Sequence, residues 1–194
     1  MEIRVANKND NKKEIAELIY DTDKYIYPYW FKSVENSIKT LSEMIDGETI
    51  YSYDKCLVAI KDNKIIGLLV FATKENIKNN DYRKWINQSF ESSHVIKNYI
   101  ISTEKEIKDN MACAICVCVN KAYRRQGIGS ELFRAFAKMF KSYTLQLDVL
   151  QINTPALGLY KSMGLKVEKE YYGYNGYRMR KPLCYSMIKS PKKG

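Results

Sequence analysis

Ala114-Ile115-Cys116-Val117-Cys118-Val119, then Asn120-Lys121-Ala122-Tyr123, then Arg124-Arg125-Gln126-Gly127-Ile128-Gly129-Ser130: this stretch decides the fold. Its apolar run is short and rich in β-branched residues, which predicts a buried strand. From Ile128 onward Leu132, Ala135, Phe136 and Met139 recur at helical spacing, one face of an amphipathic helix. A basic turn with two glycines joins strand to helix. Such a junction offers backbone N–H groups and the positive end of a helix dipole to an anion, most often a phosphate.

Working outward toward the C-terminus, residues 144–149 read as a strand with Leu145, Leu147 and Val149 on one side. Thr154-Pro155 opens a helix carrying Leu157, Tyr160 and Met163, which Gly164 ends. Residues 166–171 and 183–189 are the last strands, joined by a tyrosine-rich connection with an Asn175-Gly176 turn.

Toward the N-terminus, residues 2–5 read as a strand. Asn11 with Glu14 resembles a capping box ahead of the helical face Ile15, Leu18 and Ile19. The aromatic run 25–31, broken by Pro28, reads as a loop or broken turn. Ser33 then caps a helix with the face Val34, Ile38, Leu41 and Ile45, stopped by Gly47. Strands at 57–60 and 65–71 flank an Asp62-Asn63 hairpin turn. Residues 74–110 lack strand character; Tyr82, Trp85, Ile86 and Phe90, then Ile96, Tyr99, Ile100 and Ile107, predict two inserted helices. With no internal repeat or low-complexity linker, the reading is one α/β domain over residues 1–190 and a short basic tail at 191–194.

The 194 residues carry a formal charge of +10, and its distribution matters more than its size. From Lys121 to Lys141 six basic residues face only Glu131, and this cluster falls on the glycine turn, favouring a phosphate-bearing ligand there. Charge alone supports a nucleic-acid partner, so none is expected. No stretch approaches the roughly 20 apolar residues that span a bilayer, and residues 1–5 lack the apolar core of a leader. The expectation is a cytoplasmic protein without membrane attachment. Cys56, Cys113, Cys116, Cys118 and Cys184 are odd in number, which argues against a disulfide framework. Simple strand alternation turns Cys113 away from Cys116 and Cys118, so converging zinc ligands are not expected and the metal expectation is none.

Two segments together resemble the GCN5-related N-acetyltransferase (GNAT) superfamily. Its Arg-or-Gln-x-x-Gly-x-Gly-or-Ala signature is met by Arg124, Gly127 and Gly129, with Lys121 where a proline is frequent. Its second segment is met by Asn153, Ala156, Tyr160, Gly164 and Leu165, with leucine where phenylalanine is commoner. The close match covers about residues 111–167. The resemblance implies a mixed, mostly antiparallel central sheet, splayed between strands 4 and 5 and flanked by helices. The insertion at about 74–110 is not required by that core.

The resemblance also implies acetyl-coenzyme A (acetyl-CoA) as co-substrate and a primary amine, of a small molecule or a peptide, as acceptor. The pyrophosphate would lie on the N–H groups of Arg125, Gln126, Gly127, Ile128, Gly129 and Ser130, with Arg124, Arg125 and Lys121 adding charge. The pantetheine arm would pair with backbone of Val117, Cys118 and Val119, and Asn153 would bond the arm or shape its loop. Tyr160 would protonate the leaving thiolate, against the alternative of a core tyrosine. Tyr27, Tyr29, Trp30 and Phe31 would wall the acceptor pocket opposite Tyr172, Tyr174 and Tyr177, against the alternative of a hydrophobic mini-core. Residues 111–119 contain no acid, so no general base is assigned; Glu75 and Asp148 are the nearest carboxylates. A non-catalytic acyl-CoA sensor is the alternative function, and the apolar insertion helices make a homodimer one expected arrangement.

Overall fold

A computed structural model describes residues 1–78, 107–172 and 183–191. Seven strands form one sheet: β1 (Glu2–Val5), β2 (Cys56–Lys61), β3 (Lys64–Thr73), β4 (Met111–Val119), β5 (Thr144–Leu150), β6 (Lys166–Tyr172) and β7 (Leu183–Lys189). Their spatial order is β1-β2-β3-β4-β5-β7-β6, and only β4 with β5 is parallel. The helices are α1 (Lys12–Tyr20), α2 (Ile26–Phe31), α3 (Val34–Asp46), α4 (Lys74–Lys78), α5 (Ile128–Met139) and α6 (Thr154–Ser162).

Two cores sandwich the sheet. On one face α1, α2 and α3 cover Val58, Leu68, Val70 and Cys116 with Ile15, Ile19, Leu41 and Ile45. On the other, α5 and α6 cover Leu69, Phe71 and Leu147 with Leu132, Phe133, Phe136 and Tyr160. Full burial of a side chain such as Phe133 or Phe136 contributes about 1.5–3 kcal/mol. The 3.6-residue spacing gave Leu132 and Phe136 but not Phe133, and it included Met139 and Val34, which are exposed at their helix ends.

Local chemistry explains the boundaries. Asp62 and Asn63, at φ 51° and 58°, make the paired left-handed turn that matches strand twist between β2 and β3. Ser33 Oγ accepts the Asn36 N–H at 3.0 Å at the start of α3. Asn11 caps α1 through the Lys13 and Glu14 N–H groups. Glu14, however, does not close a capping box: its carboxylate accepts the Ile65 N–H at 2.9 Å and ties α1 to β3.

The aromatic run at 25–31 is a helix, not the expected loop or broken turn. Asp23 Oδ1 accepts from the Tyr25 and Ile26 N–H groups at 3.1 and 3.0 Å, supplying a start signal. Pro28 falls in the first turn, where a helix has no use for its missing N–H. The two helices expected from Tyr82 to Phe90 and from Ile96 to Ile107 fall almost wholly outside the described residues; within 74–110 the short α4 follows β3, and Ile107 is buried. Residues 79–106 lie outside the described residues, as do Tyr174, Tyr177 and the Asn175-Gly176 turn.

Helix α6 ends as expected at Gly164, whose φ is 85°. The Leu165 N–H donates to Tyr160 O at 3.1 Å and the Gly164 N–H to Lys161 O at 3.0 Å, a paired C-terminal motif that needs a left-handed residue. Lys189 Nζ adds a bond to Met163 O at 2.7 Å. A side chain at 164 would meet the left-handed penalty of about 1–2 kcal/mol. Gly164→Ala is therefore expected to lower Tm by about 3–6 °C in a thermal melt; an unchanged Tm would show that the helix end does not depend on this conformation.

Candidate active site

The site is built by β4. Val70 pairs with Cys116 and Phe71 with Ala114, so Ile115 is one residue too many and forms a β-bulge. Ile115 and the next residue, Cys116, both pack on the α1–α3 side. This corrects the alternation argument about the cysteines: Cys113, Cys116 and Cys118 all lie in the α1–α3 core, because the bulge resets the phase between the first and the other two. Burial pushes the Cys116 and Cys118 thiols up to about 11, and it raises Cys56 further still. Among the described residues no group of three or more His, Cys, Asp or Glu is placed to hold a metal ion.

Beyond the bulge, β4 and β5 part. Their parallel pairing runs from Met111 with Thr144 to Ala114 with Leu147 and stops there, although β4 continues to Val119 and β5 to Leu150. The Asn120 N–H donates to Ile66 O at 2.9 Å, which fixes the phase of the β3 ladder. In an antiparallel pair, inward and outward backbone groups alternate. Cys118 therefore bonds toward β3, opposite Leu68, while Val117 and Val119 present their N–H and C=O groups to the gap. Of the three residues expected to pair with the arm, these two have backbone facing the splay.

After β4 a short turn at Lys121–Tyr123 leads to Arg124, then Arg125 at φ 64° and Gly127 at φ 81°. Two left-handed residues curl this backbone, and no side chain caps α5. Its first helical bond is from Glu131 N–H to Gly127 O at 3.1 Å. The N–H groups of Ile128, Gly129 and Ser130 thus have no carbonyl within the helix to meet. A Cβ at Gly127 would find nothing within 4 Å, so that glycine is required by its conformation and leaves the approach to the turn open. This arrangement suits a diphosphate, and the bare edge of β4 suits an amide-bearing arm. Asn153 caps α6, accepting the Ala156 N–H at 3.3 Å, and so shapes the loop after β5.

Tyr160 lies on α6 facing the sheet, its ring buried against Phe133 with centroids 5.9 Å apart. Its hydroxyl has no hydrogen-bond partner among the described residues. Burial, with a smaller contribution from the Cys116 thiol on the other face, pushes Tyr160 up to about 12.

Of the aromatic block, Tyr27 and Phe31 are buried in the α1–α3 core. They stack with centroids 6.5 Å apart, and Trp30 meets Tyr27 edge-on at 5.9 Å. The Tyr27 and Tyr51 hydroxyls are 3.0 Å apart. The Thr22 hydroxyl approaches the Cys116 sulfur at 3.7 Å. The side chain of Tyr29 lies outside the described residues, and Tyr172 is exposed at the end of β6. Much of the block is thus packed against the sheet, an arrangement the aromatic composition alone could not separate from a pocket wall.

The two carboxylates fall in different places. Glu75 lies in the first turn of α4, past the end of β3 where Thr73 pairs with Ala112. That is roughly 10 Å along β4 from the splay. Asp148 is the first β5 residue beyond the last β4 pair and sits opposite Ser186 of β7. It keeps an exposed surface, yet surrounding protein removes enough water to raise its pKa, against hydrogen bonds from Tyr171 and Ser186 that lower it. The signal for Asp148 was its register against β4, which strand pairing alone reveals.

The sheet is mixed and opens between its parallel strands, and the uncapped glycine turn at the gap gives the opening an end suited to an anion. A sequence model of the acetyltransferase (GNAT) family matches residues 19–165, and the chain belongs to that family. It is 37% identical over 78 residues to an N-alpha-acetyltransferase of Sulfurisphaera tokodaii, covering 36% of this chain and 47% of that protein. It is 36% identical over 66 residues to a putative [ribosomal protein bS18]-alanine N-acetyltransferase of Bacillus subtilis, covering 31% and 44%. The matched stretches thus span about half the length of these curated relatives. A crystal structure described as an acetyltransferase superposes with a TM-score of 0.72 at 24% identity, over 99% of this chain and 100% of that one, a likeness of fold.

Proposed function

We propose that this chain is an acetyl-CoA-dependent N-acetyltransferase that passes the acetyl group to a primary amine of a small molecule or peptide, by direct attack in a ternary complex. The observation that carries the reading is the parting of β4 from β5 directly beside the uncapped glycine turn. One continuous surface then offers what the donor needs. Outward backbone of Val117 and Val119 serves the amides of the arm, and N–H groups from Arg125 to Ser130 serve the pyrophosphate. The names of the two curated relatives, one an N-alpha-acetyltransferase and the other a putative [ribosomal protein bS18]-alanine N-acetyltransferase, support an amine acceptor.

Acetyl-CoA supplies the activated thioester. Tyr160 stays protonated throughout the physiological range and donates a hydrogen bond to the sulfur as charge gathers there. Asp148, across the gap and on the face away from α6, takes the proton that the acceptor nitrogen loses. Its raised proton affinity makes it a better base than an ordinary carboxylate. On the same face Thr22 and Tyr27 both reach the Cys116 thiol.

Thiol release from acetyl-CoA, measured over a panel of amines and N-terminal peptides, tests the reading. Turnover with at least one amine is expected; tight CoA binding without turnover across the panel would make the chain a sensor instead. The same assay run against pH tests Asp148. The base works only when ionised, so activity falls as pH drops toward its raised pKa. Asp148→Asn is expected to lower kcat/KM about tenfold at neutral pH. Its deficit should shrink at low pH, where Asp148 is protonated, and at high pH, where the amine is already neutral. A deficit that stays constant across pH would remove Asp148 as the base.

A further inference from the structure

Arg124 stands beside a turn suited to phosphate, yet its side chain points elsewhere. Its Nε–H donates to the Val119 carbonyl at 3.0 Å. Its guanidinium also lies against the Cys118 thiol, where its charge and a hydrogen bond partly offset the effect of burial. Val119 O is one of the backbone groups that face the gap, so Arg124 reaches back along β4 rather than forward over the start of α5. The rest of the connection is braced from within: Ala122 N–H to Asn120 Oδ1 at 3.1 Å, and Tyr123 N–H to Asn120 O at 2.9 Å. Among the described residues, Arg124 is the side chain that ties this turn to the outward edge of the strand. Arg125 is the converse case. It is left-handed, and its guanidinium makes no hydrogen bond or ion pair among the described residues, so its charge is available to an anion.

We propose that Arg124 is a positioning residue for the pantetheine arm, holding the outward edge of β4 at Val119 through its N–H donor, while the phosphate charge is met by Arg125 and the start of α5. This rests on the acetyl-CoA reading above. A carbonyl oxygen has two lone pairs, so Val119 O accepts from Arg124 and still faces the arm. What Arg124 supplies is a donor at a fixed place. Its contribution therefore belongs to any thioester of pantetheine, with or without the nucleotide.

Calorimetric titration of the whole chain with acetyl-CoA and with acetyl-pantetheine, which has the same arm and no phosphate, separates the two roles. Arg124→Met removes both donor and charge; Arg124→Gln removes the charge and keeps an N–H donor. The methionine variant is expected to bind both ligands about tenfold more weakly. The glutamine variant should recover most of that loss on both, and both variants should melt within about 2 °C of the wild type. A methionine variant that weakens acetyl-CoA alone, or a glutamine variant as impaired as methionine, would assign Arg124 to the phosphates and overturn the proposal. A loss that follows a large fall in Tm would overturn it equally, making the residue merely structural. Wild-type protein that binds neither ligand would instead bring down the acetyl-CoA reading itself.

Discussion

Gly129→Asp is expected to weaken acetyl-CoA binding by about 100-fold or more while the protein stays folded. Gly129 is the second residue of α5, and its N–H is among those the helix leaves unmet. A Cβ there would come within 3.3 Å of Leu159 Cδ2 and 3.9 Å of Val119 Cγ2. The tighter neighbour is the end of a flexible side chain, which can give by a few tenths of an ångström. A carboxylate in the first turn of a helix contributes about 0.3–1 kcal/mol of favourable dipole interaction, which offsets part of the crowding. Stability should therefore change little. The new charge, however, would occupy the place a pyrophosphate needs and repel it at close range. Titration with acetyl-CoA and a thermal melt together check both halves; tight binding by this variant would take the phosphate away from the turn.

Tyr160→Phe should separate chemistry from binding in the opposite sense. The ring packs on Phe133 while the hydroxyl bonds to no described residue, so its removal leaves packing almost intact. The affinity for CoA should stay within about twofold. The turnover number should fall roughly 100-fold, the worth of a hydrogen bond to a developing anion. With burial pushing the phenol up to about 12, above the range of an ordinary thiol, full proton transfer would run uphill. Tyr160 is thus expected to act by a hydrogen bond that tightens as sulfur becomes negative, the proton itself arriving from solvent. Rapid-mixing measurement of thiol release checks this, and unchanged turnover would leave Tyr160 a core residue.

Much of the architecture was legible before any tertiary contact was known. The β-branched run at 114–119, the glycine turn and the helical spacing after it each act over a few residues, so local rules suffice. Asn153 and Gly164 bracket α6 for the same reason, through a side-chain cap and a left-handed end. The aromatic segment misled because Pro28 looks like a breaker. Whether proline breaks a helix depends on its distance from the start, and Asp23, two residues before the segment, sets that start.

By itself the sequence determined the order of the strands, the strand–turn–helix unit and the chemistry of its turn, since backbone conformation and helix ends follow from neighbours in the chain. Only the tertiary structure decided which groups meet across the gap. The bulge at Ile115 turned three cysteines to one face, because an extra residue in a strand becomes visible only against its partner. The register of β5 likewise set Asp148, and not Glu75, beside the opening, because pairing between distant strands is a property of the assembled sheet. The same holds for Arg124: a basic residue in a phosphate turn is read locally as charge, and its bond to Val119 O exists only where the turn folds back on the strand.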